Sequence, residues 1–211
     1  MTEPAPGPAR VSKGERTRQR VIDSAVELFA RSGYRAVSLR DISAEAGLTH
    51  AGVLHHFPDK QALLLAILTR RDEMDAPLVL AEGLTARERL TNVLAIVARN
   101  MRTPSLVSLY TKLSAEATDP DHPAHHHFVR RYETLRGCLV PAFAELLDER
   151  ATVTPRLAVQ QFLAVMDGLQ VQWLLCPQSV DMPAAVESFL ATLGIAVPGL
   201  AESVPDPEGP V

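Results

Sequence analysis

Residues 38–57, SLRDISAEAGLTHAGVLHHF, place small and polar side chains where a helix could meet DNA. Two short helical patterns meet at Gly47, which is the layout of a helix-turn-helix. A recognition helix must bring its N-terminal end close to base edges in the major groove, and small residues permit that approach. The second helix begins with such residues: Thr49, His50, Ala51 and Gly52. Val53 and Phe57 fall on its opposite face, so we expect them to point inward.

Further features of this segment favour an anionic partner. Ser38 and Thr49 begin the two helices, where free backbone N–H groups can bind phosphate. Lys60 lies in the first turn of the next helix, where a cation opposes the helix dipole and suggests an external anion. Residues 10–20 hold five basic side chains against one acidic, whereas the chain after residue 60 has 12 basic and 18 acidic side chains. This basic arm favours nucleic acid, although three packed helices with a glycine turn would show the same spacing.

A second group of chemically capable residues is a histidine cluster between residues 122 and 127. Its members are His122, His125, His126 and His127. Tetrahedral zinc requires three or four converging donors, and no cysteine or paired carboxylate joins the cluster at ligand spacing. We therefore expect a solvated helix start and no metal. The sequence also lacks a glycine-rich phosphate loop, a nucleophile elbow and a zincin-type histidine pair, so we expect neither catalysis nor a cofactor.

Helical periodicity runs through most of the chain, while strand patterns are almost absent, so the predicted fold class is all-α. A first helix carries apolar residues from Val21 to Phe29 on one face, and Gly33 is expected to end it as a left-handed cap. Longer helices are predicted at about 105–117, 124–149, 155–175 and 183–194. The predicted domains are a disordered arm (1–12), a helix-turn-helix domain (13–70), a helical body (71–197) and a disordered tail (198–211).

The composition of the 211 residues, with 46% hydrophobic side chains and a formal net charge of -4, is that of a globular protein. No apolar run approaches the ~18 residues that a membrane span needs, and the N-terminus has no signal-peptide pattern. We therefore expect a cytoplasmic protein with no membrane partner. Cys138 and Cys176 lie in apolar helical patterns, which favours two buried thiols, although a disulfide stays open.

From Thr17 to about Leu68 the sequence resembles the DNA-binding domain of the TetR family of bacterial transcriptional regulators. The resemblance rests on RVIDSAVELFARSGYRAVSLRDISAEAG followed by LTHAGVLHHFPDKQALL. The first helix ends in Phe-Ala-x-x-Gly-Tyr, the recognition helix closes on His-Phe-Pro, and the next helix starts with Lys-x-x-Leu-Leu. These motifs are specific in combination, whereas the family's C-terminal body diverges widely.

The resemblance implies a set of DNA contacts in this segment. Phosphate contacts are implied for Ser38, Thr49 and Lys60, and base or backbone contacts for Arg40, His50, Ala51, Gly52 and His55. Two residues depart from the family's pattern. The family usually has a tyrosine, whose hydroxyl commonly reaches a phosphate, where this chain has Leu54, and it often has threonine in place of Gly52.

The resemblance also implies that the body binds a small effector and forms a homodimer. One short recognition helix reads few base pairs, so two are needed about one DNA turn (~34–36 Å) apart. The predicted interface consists of Leu157, Val165, Gly168, Leu169 and Trp173, unless this stripe is ordinary core. The predicted pocket lining, which favours a largely apolar effector, is Met101, Leu109, Tyr110, Phe128, Tyr132, Phe162, Met166 and Gln170.

These observations predict a homodimeric repressor that binds a palindromic operator in double-stranded DNA and is released by a small-molecule effector. We expect ligand entry to tilt the helix that begins at Lys60, because that helix is apolar on most of its circumference and follows the recognition helix directly. The alternative is a ligand- or metal-binding helical protein that does not engage DNA specifically, an interpretation favoured by Leu54 and Gly52.

Overall fold

The computed structural model describes residues 12–148 and 151–197, and these ranges contain nine α-helices, one short 3-10 helix and no strand. The α-helices are α1 (Lys13–Ser32), α2 (Leu39–Glu45), α3 (His50–His56), α4 (Lys60–Val79), α5 (Ala86–Asn100), α6 (Pro104–Glu116), α7 (His125–Leu146), α8 (Pro155–Leu175) and α9 (Met182–Thr192). The 3-10 helix is Pro177–Ser179. The predicted all-α class is confirmed. The predicted disordered arm and tail lie outside the described residues, apart from Ser12.

Local hydrogen bonds explain where several helices begin. The hydroxyl of Ser12 accepts from the Glu15 N–H at 3.0 Å and thereby starts α1. At α2, the Ser38 hydroxyl accepts from the Asp41 N–H while the Asp41 carboxylate accepts from the Ser38 N–H, which is a reciprocal capping box. Each of these contacts satisfies a backbone donor that would otherwise have no partner within the helix.

Two glycines permit the turns on either side of α2. Gly33 ends α1 with φ 82° and ψ 155°, which differs from the predicted left-handed cap because its ψ lies in a region that almost only glycine adopts. Gly47 has φ 62° and lies between α2 and α3. An L side chain at either position would strain the backbone, so the direction of the chain into α2 and into α3 depends on these glycines.

The chain divides into two compact units after Ile67. In the first unit, α1, α2 and α3 pack on one another around a small apolar core. Its largest fully buried side chains are Ile22, Phe29, Ile42, Leu63 and Leu64. Because α2 and α3 have only seven residues each, this shared core is what holds the turn between them in place.

The second unit is a larger helical body in which α7 packs on both α5 and α8, and α8 packs on α9. Its core contains Phe143 and Phe162, whose ring centroids lie 5.5 Å apart, and Phe189 lies 6.5 Å from Phe162. Across residues 12–148 and 151–197, none of the helices combines the length and the apolar character needed to cross a membrane.

The structure corrects the expectation of two buried thiols. Cys138 is half-buried in α7, and Cys176 is exposed just after the end of α8. Both are free cysteines. Burial raises the pKa of the Cys138 thiol, so this side chain is less easily ionised than an ordinary cysteine.

Candidate DNA-binding surface and ligand-binding body

The first unit positions α3 through a tight connection from α2. Ala46 ends α2, and the Leu48 N–H donates to the Ser43 carbonyl at 2.9 Å across the Gly47 turn. Val53 is fully buried and Phe57 is 3% exposed, as their spacing predicted. With these two side chains in the core, the opposite face of α3 is fixed toward the surface.

That outer face carries most of the residues predicted to contact DNA. His50, Ala51 and His55 are exposed and Gly52 is half-buried. Leu54 is 39% exposed on the same helix, so its apolar side chain is available to a partner. A Cβ on Gly52 would lie 3.2 Å from Thr49 Oγ1, which makes larger residues tight beside the helix cap. At the N-terminal end of α3 the exposed surface therefore includes small side chains, and a partner can approach the backbone closely.

The hydroxyl groups of Ser38 and Thr49, both predicted to bind phosphate, differ in whether the hydroxyl hydrogen is already used in a hydrogen bond. Thr49 Oγ1 accepts from the Gly52 N–H at 3.1 Å, and this bond leaves the hydroxyl hydrogen available. Ser38 Oγ instead donates to Asp41 Oδ2 at 2.6 Å. The hydrogen bonds from the Ser38 hydroxyl and N–H lower the pKa of Asp41, so the carboxylate stays ionised and holds that hydrogen. Thr49 is thus the better placed hydroxyl donor.

Lys60 has a structural use that sequence reasoning missed. Its Nζ donates to the carbonyls of Tyr34 and Val37, both at 2.9 Å, and to the Arg35 carbonyl at 3.4 Å. The ammonium also lies 4.4 Å from the centroid of the Tyr34 ring. Since an ammonium has three donors, this arrangement commits all of them to the segment that leads into α2. In this structure Lys60 therefore supports the fold, and the predicted phosphate contact would require it to give up these bonds.

Several other cations of this unit are exposed at the surface. Arg40 is exposed on α2, and Lys13, Arg16 and Arg20 are exposed on α1. Arg18 is half-buried, with its guanidinium carbon 5.1 Å from the centroid of the Phe57 ring. The predicted basic arm therefore continues as exposed side chains along the first turns of α1, while Arg10 lies outside the described residues.

Six of the eight predicted pocket residues fall into two separate groups in the body. Tyr110 and Phe128 lie together, with ring centroids 5.9 Å apart, and Leu109 is buried on the same helix as Tyr110. Phe162 and Met166 lie in the body core, and Met101 packs against that core. The other two are a half-buried Gln170 and Tyr132, whose hydroxyl donates to Asp167 Oδ2 at 2.6 Å.

A charged cluster beside Tyr110 was not anticipated from the sequence. Arg71 and Asp75 on α4 are only 6% and 7% exposed. They continue the buried positions Leu64 and Leu68 at spacings of three and four residues, and this periodicity is the signal that could have identified them. The guanidinium carbon of Arg71 lies 3.8 Å from the centroid of the Tyr110 ring.

Two more charged side chains and one histidine complete this cluster. Asp72 pairs with Arg131, and its Oδ2 lies 3.2 Å from His127 Nε2. Burial lowers the pKa of His127 more than Asp72 raises it, so the imidazole is neutral at pH 7. In the part of the chain that the structure describes, no group of three histidine, cysteine or carboxylate residues is arranged to hold a metal ion.

The predicted interface residues are distributed over both faces of α8. Leu157 is 43% exposed, and nothing lies within 4 Å of the position that a Cβ on Gly168 would occupy. Trp173 is 6% exposed in the body core and Leu169 packs against the same core, so both leave little surface for a partner. Val165 is half-buried. Two exposed residues that sequence reasoning missed, Val171 and Leu175, continue the outer face.

Comparison with known proteins gives two family matches. Residues 21–67 match the model described as bacterial regulatory proteins, tetR family. Residues 86–194, just over half of the chain, match the model described as BetI-type transcriptional repressor, C-terminal. The first match contains the helix-turn-helix and the second contains most of the body.

Individual proteins agree with these matches. The chain is 26% identical over 204 residues to the HTH-type transcriptional regulator AcrR of Shigella flexneri, covering 88% of this chain and 92% of AcrR. The fold is similar to NalD, the secondary repressor of the MexAB-OprM multidrug efflux pump in Pseudomonas aeruginosa, with TM-score 0.65, 21% identity, and 89% and 100% of the two chains covered. The fold is also similar to that of a protein from Saccharomonospora viridis, solved in complex with choline. The two are 22% identical with TM-score 0.61, and the match covers 85% of this chain and 96% of the other.

Proposed function

The chain belongs to the TetR family of bacterial regulatory proteins and is a helix-turn-helix transcriptional regulator, and from this we propose that it represses as a homodimer bound to an inverted-repeat operator. The observation that carries the proposal is the exposed face of α3, whose inner residues Val53 and Phe57 are fixed in the core. Thr49 supplies a hydroxyl hydrogen for a phosphate, and His50, Ala51 and His55 face the bases.

Selection of binding sites from random duplex DNA tests the DNA-binding part of the proposal. The full chain, at near-physiological salt, is expected to recover an inverted repeat whose half-sites lie about one helical turn (~34–36 Å) apart. Replacing His50 with alanine should change the recovered sequence, because this side chain contacts bases. Recovery of no preferred sequence, at low salt as well, would favour the alternative of a helical ligand-binding protein that does not read DNA.

The dimer proposal is supported by the outer face of α8. Val171 and Leu175 are 43% and 80% exposed, and they continue the line of Leu157, Ala164 and Gly168 at helical spacing. Exposed apolar residues that recur along one face of a helix are typical of a surface that another chain covers. The open space beside Gly168 would admit a close helix crossing between two copies.

A charge placed in this stripe tests the interface. Leu175→Glu should convert the dimer to a monomer in sedimentation or light-scattering measurements, because a carboxylate would be buried without a partner. The same change at Leu80, which is 45% exposed near the end of α4, is the matched control and should leave the dimer intact. Equal behaviour of both variants would place the interface elsewhere.

The effector proposal rests on the body. A ligand that prefers one of two dimer shapes shifts the population toward that shape, and the shift is limited by its difference in affinity for the two. α4 is one continuous helix of 20 residues that begins directly after the recognition helix and ends in the body, and we propose that its tilt transmits the change. Release of the selected operator by an added compound, measured by fluorescence anisotropy, tests this step.

A further inference from the structure

We propose that the body of this protein binds a ligand that carries a carboxylate, and that Arg71 is the residue that recognises it. The proposal deepens the effector part of the proposed function and rests on it for the consequence of binding, although the binding site itself does not require DNA. It is carried by the hydrogen-bonding and charge state of the cluster around Tyr110.

Arg71 is buried without acceptors for much of its guanidinium group. The side chain is 6% exposed, and among residues 12–148 and 151–197 neither Nε nor Nη1 has a hydrogen-bond acceptor. Buried donors of a charged group are rarely left unpaired, because the lost hydration is then not replaced. A charged group in this state is therefore a sign of an acceptor that arrives from outside the chain.

The neighbouring aromatic ring holds the guanidinium in place but cannot accept its hydrogen bonds in the plane. The guanidinium carbon lies 3.8 Å from the centroid of the Tyr110 ring, which is a cation–π contact. The Tyr110 hydroxyl donates to the Leu68 carbonyl at 2.8 Å, which fixes the ring. Phe128 packs edge to face on Tyr110, with the two ring centroids 5.9 Å apart. Arg71 is thus oriented in advance beside apolar surface.

Each of the two nearby carboxylates pairs with another cation, and Asp75 does so through one oxygen only. Asp75 Oδ1 accepts from Arg99, and Asp72 accepts from Arg131. Each of these two ion pairs has no net charge. With His127 also neutral, Arg71 remains as the one positive charge in excess within this cluster. Burial lowers the pKa of Arg71 but leaves an arginine protonated at pH 7, so the excess charge is real.

These features select one ligand chemistry. A single negative charge balances the cluster, and carboxylate oxygens match the geometry of a guanidinium group. The apolar rings beside it favour a ligand whose remainder is apolar. Asp75 Oδ2 is also buried and has no hydrogen-bond donor within the described ranges, so it can accept from a hydroxyl of the same ligand. A quaternary ammonium such as choline would instead add a second unpaired positive charge.

A panel of small ligands that differ in charge tests the proposal on the whole chain given by the sequence. Benzoate, benzyl alcohol and benzylammonium share one ring, and decanoate and choline extend the panel in size and in charge. Melting temperature and titration calorimetry are measured at constant ionic strength without DNA. We expect at least one carboxylate to raise the melting temperature and bind, while benzyl alcohol, benzylammonium and choline do not.

Variants identify the residue responsible. Arg71→Gln should weaken carboxylate binding by about tenfold or more, the factor that the loss of a charge-assisted hydrogen bond produces. Arg102→Gln removes the same charge from an exposed position of the body and should bind as the unmodified chain does. The comparison of benzoate with benzyl alcohol needs no variant, so it decides the matter even if Arg71→Gln does not fold.

The outcomes are distinguishable from those of the proposed function. Failure of both carboxylates to bind, equal binding of benzoate and benzyl alcohol, or unchanged binding by a folded Arg71→Gln would each overturn the assignment. Carboxylate binding through Arg71 without release of the selected operator would uphold the site and refute the effector role. Operator release by choline alone would support the effector role and refute the carboxylate.

Discussion

Replacing Lys60 with methionine separates a structural role from a DNA contact. Methionine keeps the length and apolar stem of lysine but removes the ammonium that donates to the carbonyls of Tyr34, Arg35 and Val37. If the main role of Lys60 is to hold the segment that leads into α2, the variant loses stability. If the family resemblance is right at this position, the variant instead loses a phosphate contact.

The size of the stability loss follows from the contacts. Two hydrogen bonds of 2.9 Å from a half-buried cation contribute about 1 kcal/mol each, the value of an ordinary hydrogen bond, because the ammonium keeps part of its hydration. The ring contact with Tyr34 adds about 0.5–1 kcal/mol. Burial lowers the pKa of Lys60, so removing the ammonium also recovers part of its desolvation cost. We expect a net loss of about 2 kcal/mol, or a melting temperature lower by about 4–8 °C.

The assay combines thermal unfolding with the salt dependence of operator affinity. Each phosphate contact contributes about 0.9 to the slope of log K against log salt concentration. Lys60→Met should leave this slope nearly unchanged at temperatures where it is folded. Arg40→Met is the matched control, since Arg40 is exposed on α2, and it should lower the slope without a large change in stability. A Lys60→Met protein of unchanged stability whose slope falls by about 0.9 would refute the reasoning.

Three further substitutions test other parts of the structure. His127→Gln should flatten the pH dependence of stability measured from pH 7 to 5. Because the pKa of His127 is lowered in the folded protein, the unfolded chain takes up the proton first, and the free energy of unfolding falls as the pH drops below about 6.5. An unchanged profile would contradict this. Gly33→Ala should lower the free energy of unfolding measured by chemical denaturation by about 1–3 kcal/mol, because of the φ and ψ of Gly33 alone. Gly137→Ala within α7 should be neutral or stabilising, and equal effects of the two changes would exclude backbone strain as the cause. Leu54→Tyr should tighten operator binding about fivefold (~1 kcal/mol) by adding a phosphate donor at an exposed site, and an unchanged Kd would mean that the hydroxyl does not reach the DNA.

The buried charge of Arg71 lowers the stability of the free protein and at the same time provides a binding group for a ligand, as strained or unpaired groups in active sites do in other proteins. Without ligand, its unpaired donors oppose folding, and a well-packed apolar side chain at a buried charged position is often neutral or stabilising. Sites of this kind are retained when the missing partner is a ligand. Binding of the proposed carboxylate would therefore stabilise the folded body, and control of DNA binding would in addition require a difference in its affinity for the two dimer shapes.

The sequence by itself determined the features that depend on neighbouring residues. Apolar spacing, the hydroxyls of Ser38 and Thr49, and the glycine at position 47 predict α2, the turn and α3, because helix caps and positive-φ turns are satisfied within a few residues. The inward direction of Val53 and Phe57 followed from the same periodicity. The resemblance to the TetR family added the identity of the segment.

Tertiary structure decided the features that join distant parts of the chain. The carbonyls that bind Lys60 lie 23–26 residues before it, and Tyr110, whose hydroxyl bonds to Leu68 and whose ring holds Arg71, is 42 residues beyond Leu68. Trp173 is buried in the body, whereas Leu175 is exposed. Local sequence specifies that a helix forms and which side chains it carries. Only packing decides which of those side chains lose their water and what they meet in its place.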